Sequence, residues 1–179
     1  MQSFKAWKAN AVRVGLNEDC WLGINGVKAA YSGQNYISNM TSYVNMFTNE
    51  GFVVIIELHW SAPGSNKATG QQPMPDEDHS IDLWRSVARQ FSGNDKVILE
   101  LFNEPYPDNN NWNSEQGWKC WRDGGKCNGV GYQVHIHTHT CTYMYMYIHV
   151  YVHVHSALGT YMYVQCTTSI IFEVCIEMT

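Results

Sequence analysis

An amide and a carboxyl group stand side by side in Asn103-Glu104, directly before Pro105. A carboxyl group that holds a proton can protonate the leaving oxygen of a glycosidic bond, while a second carboxylate acts at the anomeric carbon. A polar neighbour that hydrogen-bonds the sugar 2-hydroxyl adds stabilisation in the transition state. The pair therefore fits one half of a site for glycoside cleavage. The alternative is a glutamate that begins a loop and has no catalytic role.

Three apolar segments predict the strands that must position this pair. They are residues 11–16 (AVRVGL), 53–58 (VVIIEL) and 97–102 (VILELF). Between them, residues 37–50 and 80–91 have apolar side chains at helical spacing, and Ser80 is the predicted cap of the second helix. Strands that alternate with helices indicate parallel β/α units.

Polar side chains gather at the carboxyl ends of these predicted strands. Arg13 lies late in the first strand, His59 and Trp60 end the second, and Asn103-Glu104 follow the third. Parallel barrels hold their active sites at this end, and doubly wound open sheets also bind ligands there. The sequence has no glycine-rich phosphate loop, which counts against a nucleotide-binding sheet. An interior ion pair for Arg13 and a core role for His59 stay open as alternatives.

The three segments resemble the barrel strands of glycoside hydrolase family 5. NAVRVGL, VVIIELHW and VILELFNEP are similar to the second, third and fourth strands of that family, and the similarity extends over about residues 5–133. The resemblance implies an α/β fold, namely a partial (β/α)8 TIM barrel that contains about strands 2–4. It also implies an extracellular, monomeric enzyme that acts on β-glucan polysaccharide without a metal or an organic cofactor.

The resemblance assigns a role to each strand-end residue. Glu104 is expected to be the general acid/base, and Asn103 is expected to contact the sugar 2-hydroxyl. Arg13 corresponds to the arginine that supports the nucleophile, and His59 to a histidine in the same subsite. Trp60 joins the expected substrate-binding residues. The implied reaction is retaining hydrolysis of internal β-1,4-glucosidic bonds, with β-mannan as an alternative substrate.

The nucleophile of such an enzyme is missing from the sequence pattern. The family's His-x-Tyr strand end, its nucleophilic glutamate at the seventh strand and its tryptophan at the eighth do not appear. Glu57 and Glu100 are expected to be supporting residues, because carboxylates two or four positions from His59 or Glu104 on one strand cannot flank a sugar from opposite sides. We therefore expect this chain by itself to be inactive.

Three tryptophans in a polar region suggest a second kind of sugar contact. Trp112, Trp118 and Trp121 follow the Asn-Glu-Pro segment, and aromatic faces beside polar groups suit sugar rings. Packing of the loop on the barrel explains the same residues equally well. A carbohydrate-binding remnant without catalysis is the corresponding alternative function.

The composition changes abruptly after Gln133. Residues 134–155 alternate between Val, Ile, Thr or Met and His, Cys or Tyr, as a translated DNA tract of alternating purine and pyrimidine would. We interpret residues 1–133 as a partial glycoside hydrolase barrel and 134–179 as a low-complexity tail that is translated non-coding repeat. A long strand is one alternative, and a row of metal-binding histidines (His135, His137, His139) is another.

Charge and cysteine content limit the remaining possibilities. The net charge is −5 with 15% charged residues, and the absence of a basic stripe counts against nucleic-acid binding. No apolar run in the sequence approaches the length of a membrane span. Cys120 and Cys127 bracket a glycine-rich loop and can form a short disulfide, which suits a secreted protein.

Overall fold

The computed structural model describes residues 2–111, 113–127, 130–132, 150–151 and 165–166. The chain divides into two compact units, Met1–Ile136 and His137–Thr179. The boundary predicted between residues 133 and 134, and the three histidines of the alternating run, lie outside the described residues and stay predictions. No helix in the described part of the chain is long and apolar enough to cross a bilayer.

The first unit alternates helices with parallel strands. Its elements are α1 (Gln2–Ala6), β1 (Ala11–Asn17), α2 (Glu18–Leu22), a 3₁₀ turn (Ala29–Tyr31), α3 (Gln34–Asn49), β2 (Val53–Trp60), α4 (Ser80–Gln90), β3 (Val97–Glu100), α5 (Pro107–Asn110), α6 (Glu115–Asp123), β4 (Gly125–Cys127) and β5 (Val130–Tyr132). β1, β2 and β3 form a parallel sheet in that order, and β4 pairs with β5 antiparallel. The predicted β/α units are confirmed. In the second unit, β6 (Val150–Tyr151) pairs with β7 (Gln165–Cys166) antiparallel.

The apolar sequence of β2 follows from its place in the middle of the sheet. Val54, Ile56 and Leu58 are fully buried and belong to the same core cluster as α3 and α4 side chains such as Phe47 and Leu83. Each fully buried side chain of this kind contributes about 1.5–3 kcal/mol. Burial of one face by helices leaves the alternate residues of the strand free to build the other face.

Two strand ends differ from the prediction. β2 continues through His59 and Trp60, and β3 stops at Glu100 instead of residue 102. The backbone amide of Asn103 nevertheless donates to the Leu58 carbonyl at 2.9 Å, so the chain stays beside β2 beyond the end of β3. β3 is an edge of the described sheet, which leaves Ile98 40% exposed although its segment reads as a buried strand.

The predicted Ser80 cap of α4 is wrong. The N-cap residue is His79, whose side chain makes no capping hydrogen bond, and Ser80 is the first residue of the helix. The Asp76 carboxylate accepts from the backbone amides of His79 and Ser80 at 2.7 and 3.2 Å. Asp76 therefore takes the capping role, and the Ser80 hydroxyl donates instead to Glu18 at 2.8 Å.

Candidate active site

The carboxyl ends of the three parallel strands bring polar residues into one row. The register places Gly15 opposite Glu57 and Glu57 opposite Glu100. Arg13 lies two residues before Gly15 and points to the same side, because side chains alternate along a strand. Val14, the residue between them, is buried with the helices on the other side.

Arg13, which was predicted to lie late in its strand, is instead the third of the seven residues of β1 and is paired with Ile55, and its side chain reaches forward to the row. Its Nε and Nη2 donate to the two carboxylate oxygens of Glu100 at 2.7 and 2.6 Å, and its Nη1 donates to Asn103 Oδ1 at 3.0 Å. Nη1 also lies 3.8 Å from Glu57 Oε1. The hydrogen bonds to Glu100 raise the pKa of the Arg13 guanidinium, despite partial burial, and the charges of Glu57 and Glu104 act in the same direction. Arg13 thus remains a fixed cation that orients Asn103.

Glu57, the middle residue of the row, has a side chain that is only 3% exposed. Its Oε1 forms a hydrogen bond with His59 Nδ1 at 2.7 Å, and its Oε2 is buried without a partner among the described residues. Burial raises the pKa of Glu57, against the opposing effects of His59 and Arg13. A Cβ atom on Gly15 would lie 2.8 Å from Glu57 Oε1, so the glycine leaves the space that this carboxyl fills.

A pocket of about 470 Å³ opens at these strand ends. It is lined by Arg13, Gly15, Leu16, Asn17, Glu57, His59 and Trp60. Its volume is within the range of small-molecule sites. The rings of His59 and Trp60 have centroids 5.7 Å apart, so an aromatic face stands beside charged and hydrogen-bonding groups. This combination suits a sugar ring, which is apolar on its faces and polar at its rim.

Asn103 and Glu104 differ in their surroundings. Asn103 is 3% exposed, whereas Glu104 is exposed to solvent. Glu104 has a backbone φ of 43°, which places a non-glycine residue in the left-handed region. Strained backbone of this kind persists only where neighbouring contacts hold it, and it occurs often at functional sites.

Comparison with known proteins identifies the family. Residues 1–126 match the model of cellulases of glycosyl hydrolase family 5. The chain belongs to glycosyl hydrolase family 5. The resemblance drawn from its three strand motifs is confirmed, and the described parallel strands and helices are part of the α/β barrel of that family.

The family 5 relatives include endoglucanases from bacteria and fungi. The chain is 27% identical over 116 residues to an endoglucanase of Halalkalibacter akibai, covering 63% of this chain and 13% of that protein. It is 28% identical over 104 residues to endoglucanase gh5-1 of Neurospora crassa, covering 58% of this chain and 25% of that protein. The chain thus spans between about an eighth and a quarter of the length of these relatives.

Solved structures of the family resemble the chain more distantly. A broad-specificity GH5-4 endoglucanase from an uncultured bacterium is 21% identical, with a TM-score of 0.44, over 62% of this chain and 32% of its own. A mutant lichenase from Caldicellulosiruptor sp. F32, solved with cellotetraose, is 16% identical, with a TM-score of 0.46, over 68% of this chain and 34% of its own.

The three later tryptophans have different surroundings in this family 5 chain. Trp112 lies outside the described residues. Trp118 is 55% exposed on α6, and Trp121 is half-buried against Met74 and Cys120. Neither Trp118 nor Trp121 lines the strand-end pocket. Their contacts with sugar stay a prediction, and packing accounts for Trp121.

The structure shows one of the two cysteines of the predicted disulfide in a bonded state. Cys120 is disulfide-bonded, and its partner lies outside the residues whose side chains the structure describes. Cys20 is a free thiol. The pairing of Cys120 with Cys127 therefore stays a prediction.

A second polar cluster, which the sequence interpretation missed, lies at the carboxyl end of β1. Glu18 and Asp76 are fully buried, and both accept a hydrogen bond from the Ala62 amide, at 2.6 and 3.2 Å. Burial, together with the neighbouring Asp76 carboxylate, raises the pKa of Glu18 to about 9. Burial also acts to raise the pKa of Asp76, but hydrogen bonds from Glu18 and from the amides of His79 and Ser80 outweigh it and lower that pKa. These opposite shifts favour a protonated Glu18 beside an ionised Asp76.

The same cluster has the residue types of a metal site, because Glu18, Asp76 and His79 place their ligand atoms within 4.8 Å of one another. Protein hydrogen bonds already explain this grouping. His79 Nδ1 lies 2.9 Å from the Ala62 carbonyl oxygen, which can only accept, so this nitrogen carries hydrogen. The cluster serves to fix the loop between β2 and α4. The acidic residues 18–19 and 76–78, next to predicted elements, were the available sequence signal.

Proposed function

We propose that this chain carries the acid/base half of the active site of a retaining endo-β-1,4-glucanase, with Glu104 as the general acid and base. The observation that carries the proposal is the hydrogen bond from Arg13 to Asn103 at the strand ends, next to Glu104. The endoglucanase names of its relatives support the same reaction. On the basis of these names, we propose β-glucan as the substrate class.

The proposed mechanism assigns one task to each group. Glu104 protonates the oxygen of the leaving sugar and then removes a proton from the attacking water. Asn103 donates to the 2-hydroxyl of the sugar in the cleaved subsite. His59, braced by Glu57, and Trp60 line that subsite. No step uses a metal or an organic cofactor.

A retaining mechanism needs a second carboxylate about 5–5.5 Å from the first, on the other side of the anomeric carbon. Within the described residues, the carboxylates that meet Arg13 are Glu57 on β2 and Glu100 on β3. Glu57 and Glu100 lie opposite each other in the same sheet and both face Arg13, so we assign them supporting roles and not the role of the second carboxylate. We therefore propose that this chain binds oligosaccharide and does not turn it over by itself.

A hydrolysis assay tests this proposal. Soluble barley β-glucan incubated with the wild-type chain is expected to release no more reducing sugar than with Glu104→Gln, because one carboxyl group cannot complete the double displacement. Sugar release that Glu104→Gln abolishes would refute the absence of turnover while supporting the role of Glu104. Release that Glu104→Gln leaves unchanged would refute that role.

A carbohydrate-binding remnant without catalysis is the second candidate. The exposure of Trp118 on α6 favours it, because a solvent-facing indole can stack on a sugar ring. Under this alternative, binding depends on Trp118 and not on the strand-end residues.

A β-mannan specificity within the family is a further alternative. A preference for mannotetraose over cellotetraose would indicate it.

We also propose a location, an oligomeric state and a domain boundary for this chain. The disulfide at Cys120 supports an extracellular location, because disulfides persist in oxidising compartments. We propose a monomer whose family 5 domain ends near residue 133, with residues 134–179 as a translated repeat. The end of the family match at residue 126 supports this division.

A further inference from the structure

The loop between β2 and α4, residues 61–79, reaches across the strand ends to the Asn-Glu segment. Gln71 in this loop makes the contact. Its Nε2 donates to the Asn103 carbonyl in a short hydrogen bond and lies 3.3 Å from the Glu104 carbonyl. Its Oε1 accepts from Asn103 Nδ2 at 3.2 Å. One side chain therefore binds both the backbone and the amide of the proposed acid/base segment.

Donor and acceptor chemistry fixes the orientation of both amides. The Arg13 guanidinium can only donate, so the atom that faces it must be Asn103 Oδ1. Asn103 Nδ2 then faces Gln71, whose Oε1 must accept. The Gln71 Nε2 is left to face two carbonyl oxygens, which can only accept. The chain of hydrogen bonds from Arg13 to Asn103 and Gln71 thus has one consistent arrangement.

This arrangement determines what Asn103 can offer a sugar. The Nδ2 group has two hydrogens, and one of them is used by Gln71. The second hydrogen can donate to the sugar 2-hydroxyl from a side chain whose oxygen is already held by Arg13. Without Gln71, the Asn103 amide would be held at its oxygen alone. Gln71 also contacts the carbonyl of Glu104, the residue with positive φ.

Gln71 is itself held from both sides. Tyr106, just beyond the Asn-Glu segment, donates its hydroxyl to the Gln71 carbonyl at 3.0 Å, and its amide donates to Pro73 at 2.9 Å. On the other side, the Ala68 amide donates to Asp19 at 2.6 Å and the Ala68 carbonyl accepts from Asn17 at 2.7 Å. The loop therefore connects the end of β1 to the segment that follows β3.

We propose that Gln71 is a positioning residue that sets the orientation of the Asn103 amide and the backbone of Glu104 for the sugar. This inference rests on the proposed function for its consequence in binding. Its structural part, the fixing of the Asn103 amide, can be observed without any sugar.

The test compares Gln71→Met with Gln72→Met in the full chain. Gln72 is the next residue of the same loop, and its side chain makes no hydrogen bond to the described residues, so the control repeats the chemical change without the contact. Two quantities are measured, namely the NMR signals of the Asn103 side-chain amide and the Kd for cellotetraose. Gln71→Met is expected to shift the Asn103 amide signals, to speed their hydrogen exchange, and to weaken binding on the order of tenfold. Gln72→Met is expected to change neither.

Three outcomes separate the inference from the proposed function. Shifted Asn103 signals together with weaker binding in Gln71→Met alone support both. Unchanged Asn103 signals and unchanged Kd in Gln71→Met overturn the role of Gln71, while cellotetraose binding by the wild type keeps the proposed function. If the wild type binds no cellotetraose, the proposed function fails, and a shift of the Asn103 signals in Gln71→Met alone still supports the positioning role.

Discussion

Replacement of Arg13 by methionine is expected to lower the free energy of unfolding by about 2 kcal/mol. The substitution leaves the buried Glu57 carboxylate without its neighbouring cation and Asn103 Oδ1 without its donor. Loss of one partner of a buried polar group costs about 1–3 kcal/mol. The Arg13 side chain is 41% exposed, so solvent screens its ion pair with Glu100. The loss of unfolding free energy is therefore expected to stay well below that for a fully buried ion pair.

Urea denaturation with a matched arginine variant measures this effect. Arg85 on α4 pairs with Asp82 at 3.1 Å, and both side chains are exposed. Arg85→Met is therefore expected to cost less than about 1 kcal/mol. Equal losses in the two variants would mean that the row of charges at the strand ends adds no stability beyond that of a surface ion pair.

Replacement of Glu18 by glutamine is expected to remove a large part of the pH dependence of stability. The pKa of Glu18 is raised to about 9 in the folded chain, against about 4.5 for an ordinary glutamate. Between these values the folded state binds a proton that the unfolded state releases. The stability from this group is therefore complete below about pH 4.5 and is lost as the pH rises towards 9, with a slope of up to about 1.4 kcal/mol per pH unit.

The neighbouring acids leave this sign unchanged. The lowered pKa of Asp76 gives stability that is lost as the pH falls below its ordinary value, outside the window from 5 to 9. The raised pKa of Glu57 acts in the same direction as Glu18, but it is present in both the wild type and the variant.

Thermal unfolding between pH 5 and pH 9 tests the prediction. The wild-type midpoint is expected to fall as the pH rises, and the Glu18→Gln midpoint is expected to be flatter, because an amide takes up no proton. Glu77→Gln makes the same chemical change at an exposed position next to Asp76 and should retain the wild-type slope. A Glu18→Gln profile parallel to that of the wild type would show that Glu18 is not protonated beside Asp76 in the folded chain.

Hydrophobic pattern was sufficient to predict the frame of this fold. The apolar run of β2 and the helical spacing of α3 and α4 correspond to real burial, because a strand covered by helices needs such residues. The position of the polar strand ends followed from the same frame. Parallel pairing brings Gly15, Glu57 and Glu100 into one row, and the Arg13 side chain reaches Glu100 and Asn103 by hydrogen bonds.

Loop residues could not be predicted in this way. Gln71 and Asp76 lie in a loop without hydrophobic periodicity. Only the folded path of this loop brings Gln71 to Asn103 and Asp76 to Glu18. The Ser80 cap failed for the same reason. Ser80 is a good capping residue by type, but Asp76 from the preceding loop takes that role once the loop folds back.

Isothermal titration calorimetry of cellotetraose binding to the full chain tests the central claim that the sugar site lies at the strand ends. The comparison uses the wild type, Asn103→Ala and Trp118→Ala. The expected result is saturable binding by the wild type, weakened on the order of tenfold in Asn103→Ala and unchanged in Trp118→Ala. Binding that is lost in Trp118→Ala and retained in Asn103→Ala would contradict the claim and place the sugar on α6.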